Sequence, residues 1–142
     1  MEPFRTMLTP VLTVRHAAGA VAFYQQAFNA QELSRTTDPD GRIVAELAVE
    51  GARFRVAEEA PEAANLSPQA LDGTTVRLNL LVADPDGVFE RAIANGAIQV
   101  APIADQSYGL RQGRLADPFG HHWLIGRPLA GEPGAWARLP DR

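Results

Sequence analysis

The sequence predicts an α+β fold in which two βαβββ modules form a cupped mixed sheet with helices on its outer face. Three observations predict it. Apolar residues alternate along "MLTPVLTV" and then recur at helical spacing in "AAGAVAFYQQAFNA". The same order returns in the second half, as "TTVRLNLLV" followed by "DPDGVFERAIANG". The halves also align with one another: Val82 falls 68 positions after Val14, and Gly120 falls 69 positions after Gly51. Near-equal offsets in two separated regions mark a duplicated unit.

The first strand is expected over Met7–Val14, where Leu8, Leu12 and Val14 alternate with Thr9, Val11 and Thr13; Pro10 places it at an edge or a bulge. A helix follows, with Ala17, Val21, Tyr24 and Phe28 on one stripe and His16 at its start, as a cap or solvated. "IVAELAVEGARFRVAEE" reads as two strands joined at Glu50-Gly51. Glu59–Gly73 is rich in Ala, Pro and Asn without a period, so a long mobile flap is expected. The second helix is well signed, by Asp84 as N-cap, Pro85 at its first position and Gly96 as its stop. Its acidic residues Asp84, Asp86 and Glu90 complement the helix dipole. Short strands are expected at Ile98–Val100, Leu110–Ala116 and His122–Ile125, with a tight turn at Phe119-Gly120. The expected organisation is one domain over residues 1–128, with modules at about 7–58 and 74–126, and an irregular tail over 129–142. In that tail Trp136 is expected to pack on a second subunit or on its own domain.

Bulk properties narrow the function. A net charge of −4 argues against nucleic acid, which needs a basic face. No apolar run approaches a membrane span, and "MEPFRTMLTP" lacks the pattern of a signal peptide. The chain has no cysteine, which excludes disulfides, thiolate metal sites and a cysteine nucleophile; a cytoplasmic location is the expectation. No phosphate loop, nucleophile elbow or dinucleotide fingerprint is present.

Strand alternation separates the two faces of the sheet. Leu12, Val14, Ile43, Leu47, Val49, Phe54, Val56, Val76, Leu78, Leu80, Val82, Trp123 and Ile125 are expected to face the helices. Thr9, Val11, Thr13, Glu46, Arg53, Arg55, Arg77, Asn79, Leu81, His122 and Leu124 are expected to face the cup. Adjacent strand residues point opposite ways, so His121 and His122 do not converge on one ion.

"LTVRHAAGAVAFYQQAFNA" and "DQSYGLRQGRLADPFGHHWLI" carry a family resemblance. They resemble the vicinal oxygen chelate superfamily of glyoxalases, bleomycin and fosfomycin resistance proteins and dioxygenases, and its PhnB-like branch in particular. The resemblance runs from Met7 to Pro128, although family helices tend to begin with Asp where this chain has His16. It implies a homodimer and a cup whose metal ligands come from the first and last strands of each module. Those positions map onto Thr9, Arg77, Arg55 and Leu124. Arginine presents only donors and keeps its charge, leucine has no lone pair, and one threonine hydroxyl holds no cation, so neither a metal nor another cofactor is expected.

Two guanidinium groups in a cup, Arg55 and Arg77, point to an anionic ligand, unless Glu46 neutralises one of them. Asn79 and Leu124 line the same cup. Tyr108, Arg111 and Arg114 are expected to close one end, the tyrosine stacking on a planar ligand and the arginines holding its polar edge, or to form a packed tyrosine and solvated arginines. His122 and Glu46 are the candidate acid/base residues. Three functions follow. The first is a small-molecule binding protein with a degraded metal site and a partly apolar, anionic ligand. The second is a metal-dependent lyase, isomerase or dioxygenase, or a cofactor-free lyase using His122 or Glu46. The third is a non-catalytic regulatory or structural module.

Overall fold

A computed structural model describes residues 3–130. Trp136 and most of the expected tail lie outside the described residues. The order is β1 (Val11–Val14), α1 (Ala17–Phe28), β2 (Gln31–Thr37), β3 (Ile43–Val49), β4 (Ala52–Glu58), a 3-10 turn (Pro61–Ala63), α2 (Pro68–Leu71), β5 (Arg77–Leu81), α3 (Pro85–Ala94), β6 (Ile98–Asp105), β7 (Leu110–Ala116) and β8 (His122–Pro128). The strands form two four-stranded mixed sheets, β1-β4-β3-β2 and β5-β8-β7-β6, each a βαβββ module. The duplication is exact to within one residue in register: Val11 pairs with Arg55 in the first sheet, and Asn79 with Leu124 in the second.

Helix boundaries follow their local chemistry. His16 Nδ1 accepts the Gly19 amide at 2.9 Å and caps α1. Asp84 accepts the Gly87 amide at 3.1 Å and caps α3, with Pro85 beginning that helix. Both caps satisfy an amide that the helix leaves without an internal partner.

Three expectations need correction, and β2 adds a strand that no local pattern announces. β1 is shorter than Met7–Val14, because Pro10 has no N–H to offer a ladder; its carbonyl still accepts the Arg55 amide. β2 gives no apolar alternation, since most of its side chains are exposed on an edge strand. β6 extends to Asp105 rather than Val100, held on the other edge with two register shifts. Finally, Glu59–Gly73 is folded rather than a loose flap. Ser67 is buried and donates its hydroxyl and amide to Glu59, Arg42 pairs with Glu62, and Ala60 bridges Asn65.

Of the residues expected to face the helices, Leu12, Val14, Leu47, Val49, Phe54, Val56, Leu80, Trp123 and Ile125 are buried in one core. Ile43, Leu78 and Val82 pack against it, whereas Val76 precedes β5 and stands exposed. The core is shared between modules. Trp123 of β8 lies 4.8 Å from Phe28 and 5.5 Å from Tyr24 of α1, and 5.4 Å from Phe54 of β4, measured between ring centroids. α1 and α3 also pack on each other. The helix-bearing faces of both sheets therefore turn towards one interior, and their polar faces turn away from it.

The centre of this junction is Asp117, buried between β7 and β8. One oxygen accepts the Tyr24 hydroxyl and the Trp123 indole N–H (2.9 Å). The other accepts the amides of Phe119 (2.9 Å) and His121 (3.0 Å). Burial, then the Asp117 charge, pushes the Tyr24 hydroxyl well above the usual tyrosine range, so it stays protonated and donates. Asp117→Ala strands four donors in the interior and is expected to lose about 3 kcal/mol of stability in urea unfolding. Tyr24→Phe, which removes one donor, is expected to lose about 1 kcal/mol. A loss within error for Asp117→Ala contradicts this junction. Because the folded tyrosine pKa is raised, its contribution is complete below the unfolded value and is lost as pH rises above it.

Candidate functional site

The polar face of the first sheet carries one carboxylate for two cations. Glu46 of β3 sits opposite Arg55 of β4, and its carboxylate lies 3.2 Å from Arg53 and 3.8 Å from Arg55. Both arginines are about half exposed. Glu46 thus lies between two guanidinium groups as their shared counter-ion. Thr9 lies outside β1, ahead of Pro10.

The corresponding face of the second sheet is different. Its rows, read across β5, β8 and β7, are Arg77–His122–Ala116, Asn79–Leu124–Arg114 and Leu81–Gly126–Gln112. Among the described residues neither Arg77 nor Arg114 has a carboxylate partner. Arg114 Nε donates to His122 Nδ1 at 3.0 Å. That bond engages Nδ1 and favours the neutral imidazole with its proton on Nε2. Desolvation, and then the Arg114 charge, lowers the His122 pKa below its ordinary value. His121 faces the other way, its Nε2 2.8 Å from the Thr13 carbonyl.

A neutral relay lies beside the two cations. Gln112 is buried, and its side-chain oxygen accepts the Tyr108 hydroxyl at 2.7 Å. Its side-chain nitrogen reaches Asn79 Oδ1 at 3.4 Å, and its backbone carbonyl accepts from Gln106 at 2.9 Å. Tyr108 thus reaches over the end of the sheet from the β6–β7 turn. Arg111 does not join it. Strand alternation puts Arg111 on the helix side, where it holds Asp86 of α3 by two bonds (2.7 and 2.8 Å) and Asp105 at 3.0 Å. These bonds lower the Asp86 pKa and raise that of Arg111. The sequence missed Gln112 because a glutamine on an edge of an apolar pattern reads as solvated; only the parity it shares with Arg114 marks it.

A groove of about 810 Å³ runs between β1 and the segment leading into β5, lined by Val11, Leu66, Pro68, Leu71, Val76 and Leu78. It meets the second sheet on the side of Leu78 and His121, not on the face of Arg77. A smaller cavity of about 270 Å³ is lined by Arg53 of the first sheet and by Arg77 and Asn79 of the second.

Residues 6–125 match the glyoxalase/bleomycin resistance protein/dioxygenase superfamily, and the chain belongs to it. It is 41% identical over 126 residues to uncharacterized protein Mb0911c of Mycobacterium bovis, covering 86% of this chain and 83% of that one. It is 28% identical to TioX from Micromonospora sp. ML1, with a TM-score of 0.69, covering 88% of this chain and 100% of TioX. The fosfomycin resistance protein FosX of Listeria monocytogenes, solved with Mn(II) and sulfate, shares the fold at 19% identity and a TM-score of 0.68, covering 92% and 98%.

A divalent cation does not fit the described residues at the positions that the resemblance implies. Arg77 and Leu124 offer no lone pair, Arg55 is committed to Glu46, and His122 Nδ1 is occupied by Arg114. Among the described residues no three His, Asp or Glu side chains converge. No helix of the described residues is long and apolar enough to cross a membrane. His122 is expected to titrate below an ordinary histidine in an NMR pH series. In Arg114→Met its pKa is expected to rise only in part, since desolvation, the larger cause, remains. An unchanged value in that variant contradicts the Arg114–His122 pairing.

Proposed function

We propose that the protein is a small-molecule binding protein of the glyoxalase/bleomycin-resistance type, which holds a partly apolar, anionic ligand on the polar face of the second sheet without a metal. The observation that carries this reading is the pair Arg77 and Arg114, two guanidinium groups with no carboxylate partner among the described residues on a face floored by Leu81 and Leu124. Cations gathered beside apolar surface are stabilised by an anion that forms charge-assisted hydrogen bonds with both. The cavity lined by Arg77, Asn79, Pro10, Phe54 and Leu80 supplies room for the apolar part.

The Asp-Pro-Phe-Gly-His-His-Trp turn supports placement in the PhnB-like branch. We assign a homodimer as well: the polar faces of the two sheets diverge within one chain, and a second copy offers the opposing wall of a closed cup.

Aromatic carboxylates are expected to raise the melting temperature in a concentration-dependent way, by mass action on the native state. Arg77→Met is expected to abolish that shift while leaving the unliganded melting temperature nearly unchanged. A full shift in Arg77→Met overturns the reading. Elemental analysis of protein purified without chelator is expected to find no stoichiometric divalent metal; one such ion per site favours the metal-dependent enzyme instead.

A further inference from the structure

Building on the anion-binding reading, we propose that the second-sheet face selects aromatic carboxylates that carry an amide, the carboxylate held by Arg77 and Arg114 and the amide by the Tyr108–Gln112–Asn79 relay. The two halves of the face differ in kind. One half holds two cations and the N–H of His122, and the other holds three neutral groups with directional hydrogen bonds. They sit at a fixed spacing, because Arg114 and Gln112 are two residues apart on β7 and point the same way, which is roughly 7 Å along a strand. That is the distance between the carboxylate and the para substituent of a benzoate.

The relay selects an amide because its inner bonds use up only half of its capacity. With the Tyr108 hydroxyl donating to Gln112, the tyrosine oxygen can still accept. With Asn79 Oδ1 accepting from Gln112, the Asn79 amino group can still donate. A secondary amide presents one N–H and one carbonyl and satisfies both ends. Reversing the Gln112 amide reverses both ends together, and a secondary amide still matches. Between the halves the floor is apolar and low. Leu124 stands next to Gly126, where an added Cβ would lie 2.5 Å from the Arg111 carbonyl and 3.1 Å from Gln112 Cβ. The glycine lets the Gln112 side chain cross β8 towards Asn79, and the ligand's ring rests on Leu124 beside it.

His122 acts here as a positioning residue. Its Nδ1 holds the Nε of Arg114 and leaves the terminal nitrogens of that guanidinium for the ligand.

The test is a calorimetric titration of the full chain with three probes: 4-acetamidobenzoate, 4-propylbenzoate of similar length without the amide, and the neutral amide 4-methylacetanilide. The amide carboxylate is expected to bind about tenfold more tightly than 4-propylbenzoate, the effect of one or two net hydrogen bonds. The neutral amide is expected to bind more weakly than 4-acetamidobenzoate. Gln112→Leu is expected to collapse the tenfold gap. Since Gln112 is buried and its loss can disturb the sheet, the exposed Tyr108→Phe and Asn79→Leu variants carry the same expectation, each narrowing the gap. Equal binding of the two carboxylates, with both lost in Arg77→Met, removes the amide selection and leaves the anion-binding reading standing. A gap that persists in Tyr108→Phe and Asn79→Leu also overturns the selection. Failure of either carboxylate to bind overturns both.

Discussion

One buried carboxylate sets the relation between the two halves of this chain. Asp117 accepts from Tyr24 in the first module and from Trp123 and two turn amides in the second. With four donors on its two oxygens, it is fully solvated by protein, which is what permits a charge at that depth. The same contacts bring Phe28, Phe54 and Trp123 together, so that both helix-bearing faces close on one core. Once those faces are committed inward, the polar faces have no partner within the core and must present their side chains outward. The location of any ligand site on the sheets is a consequence of this packing.

The duplicated modules then diverge in charge at matching positions. The central row of the first sheet is Val11–Arg55–Glu46, and that of the second is Asn79–Leu124–Arg114. In the first, Glu46 is shared by Arg53 and Arg55 and offsets part of their charge. In the second, leucine replaces the arginine, arginine replaces the glutamate, and the cations have no carboxylate among the described residues. Exposed ion pairs such as those of Glu46 contribute little to stability, so their main effect on the first sheet is to lower its positive charge. The second keeps guanidinium groups beside leucines, an arrangement that makes structural sense only with an anion or with water.

Much of the architecture was legible in the sequence. The helices were announced by their caps, and the strand parity separated core from polar face because burial on one side enforces a period of two. Val76 broke that parity by lying ahead of its strand. β2 was invisible because an exposed edge strand has no apolar face to alternate, and only the repeat implied it. The folded segment after β4 was hidden by a lone buried serine, whose satisfaction by Glu59 depends on tertiary contact. For the site, parity put Arg77, Asn79, His122 and Leu124 on one surface, as the strand register does, while Arg114 entered through the resemblance as part of the segment that closes the cup. Parity also offered Glu46 as a partner for one arginine of the cup, and Glu46 lies beside Arg55 on the next strand. Parity could not foresee that Arg111 meets Asp86, because that pairing joins elements far apart in sequence. The bond from Arg114 to His122 is of the same kind, joining neighbouring strands in a way that parity alone does not specify.

A crystal structure of the protein soaked with an aromatic carboxylate addresses this arrangement at the level of atoms. The carboxylate is expected within hydrogen-bonding distance of the Arg77 and Arg114 guanidinium groups, with His122 Nδ1 still accepting from Arg114. A carboxylate seated instead on Arg53 and Arg55, or a metal ion coordinated by His122, would contradict the division of labour between the two sheets.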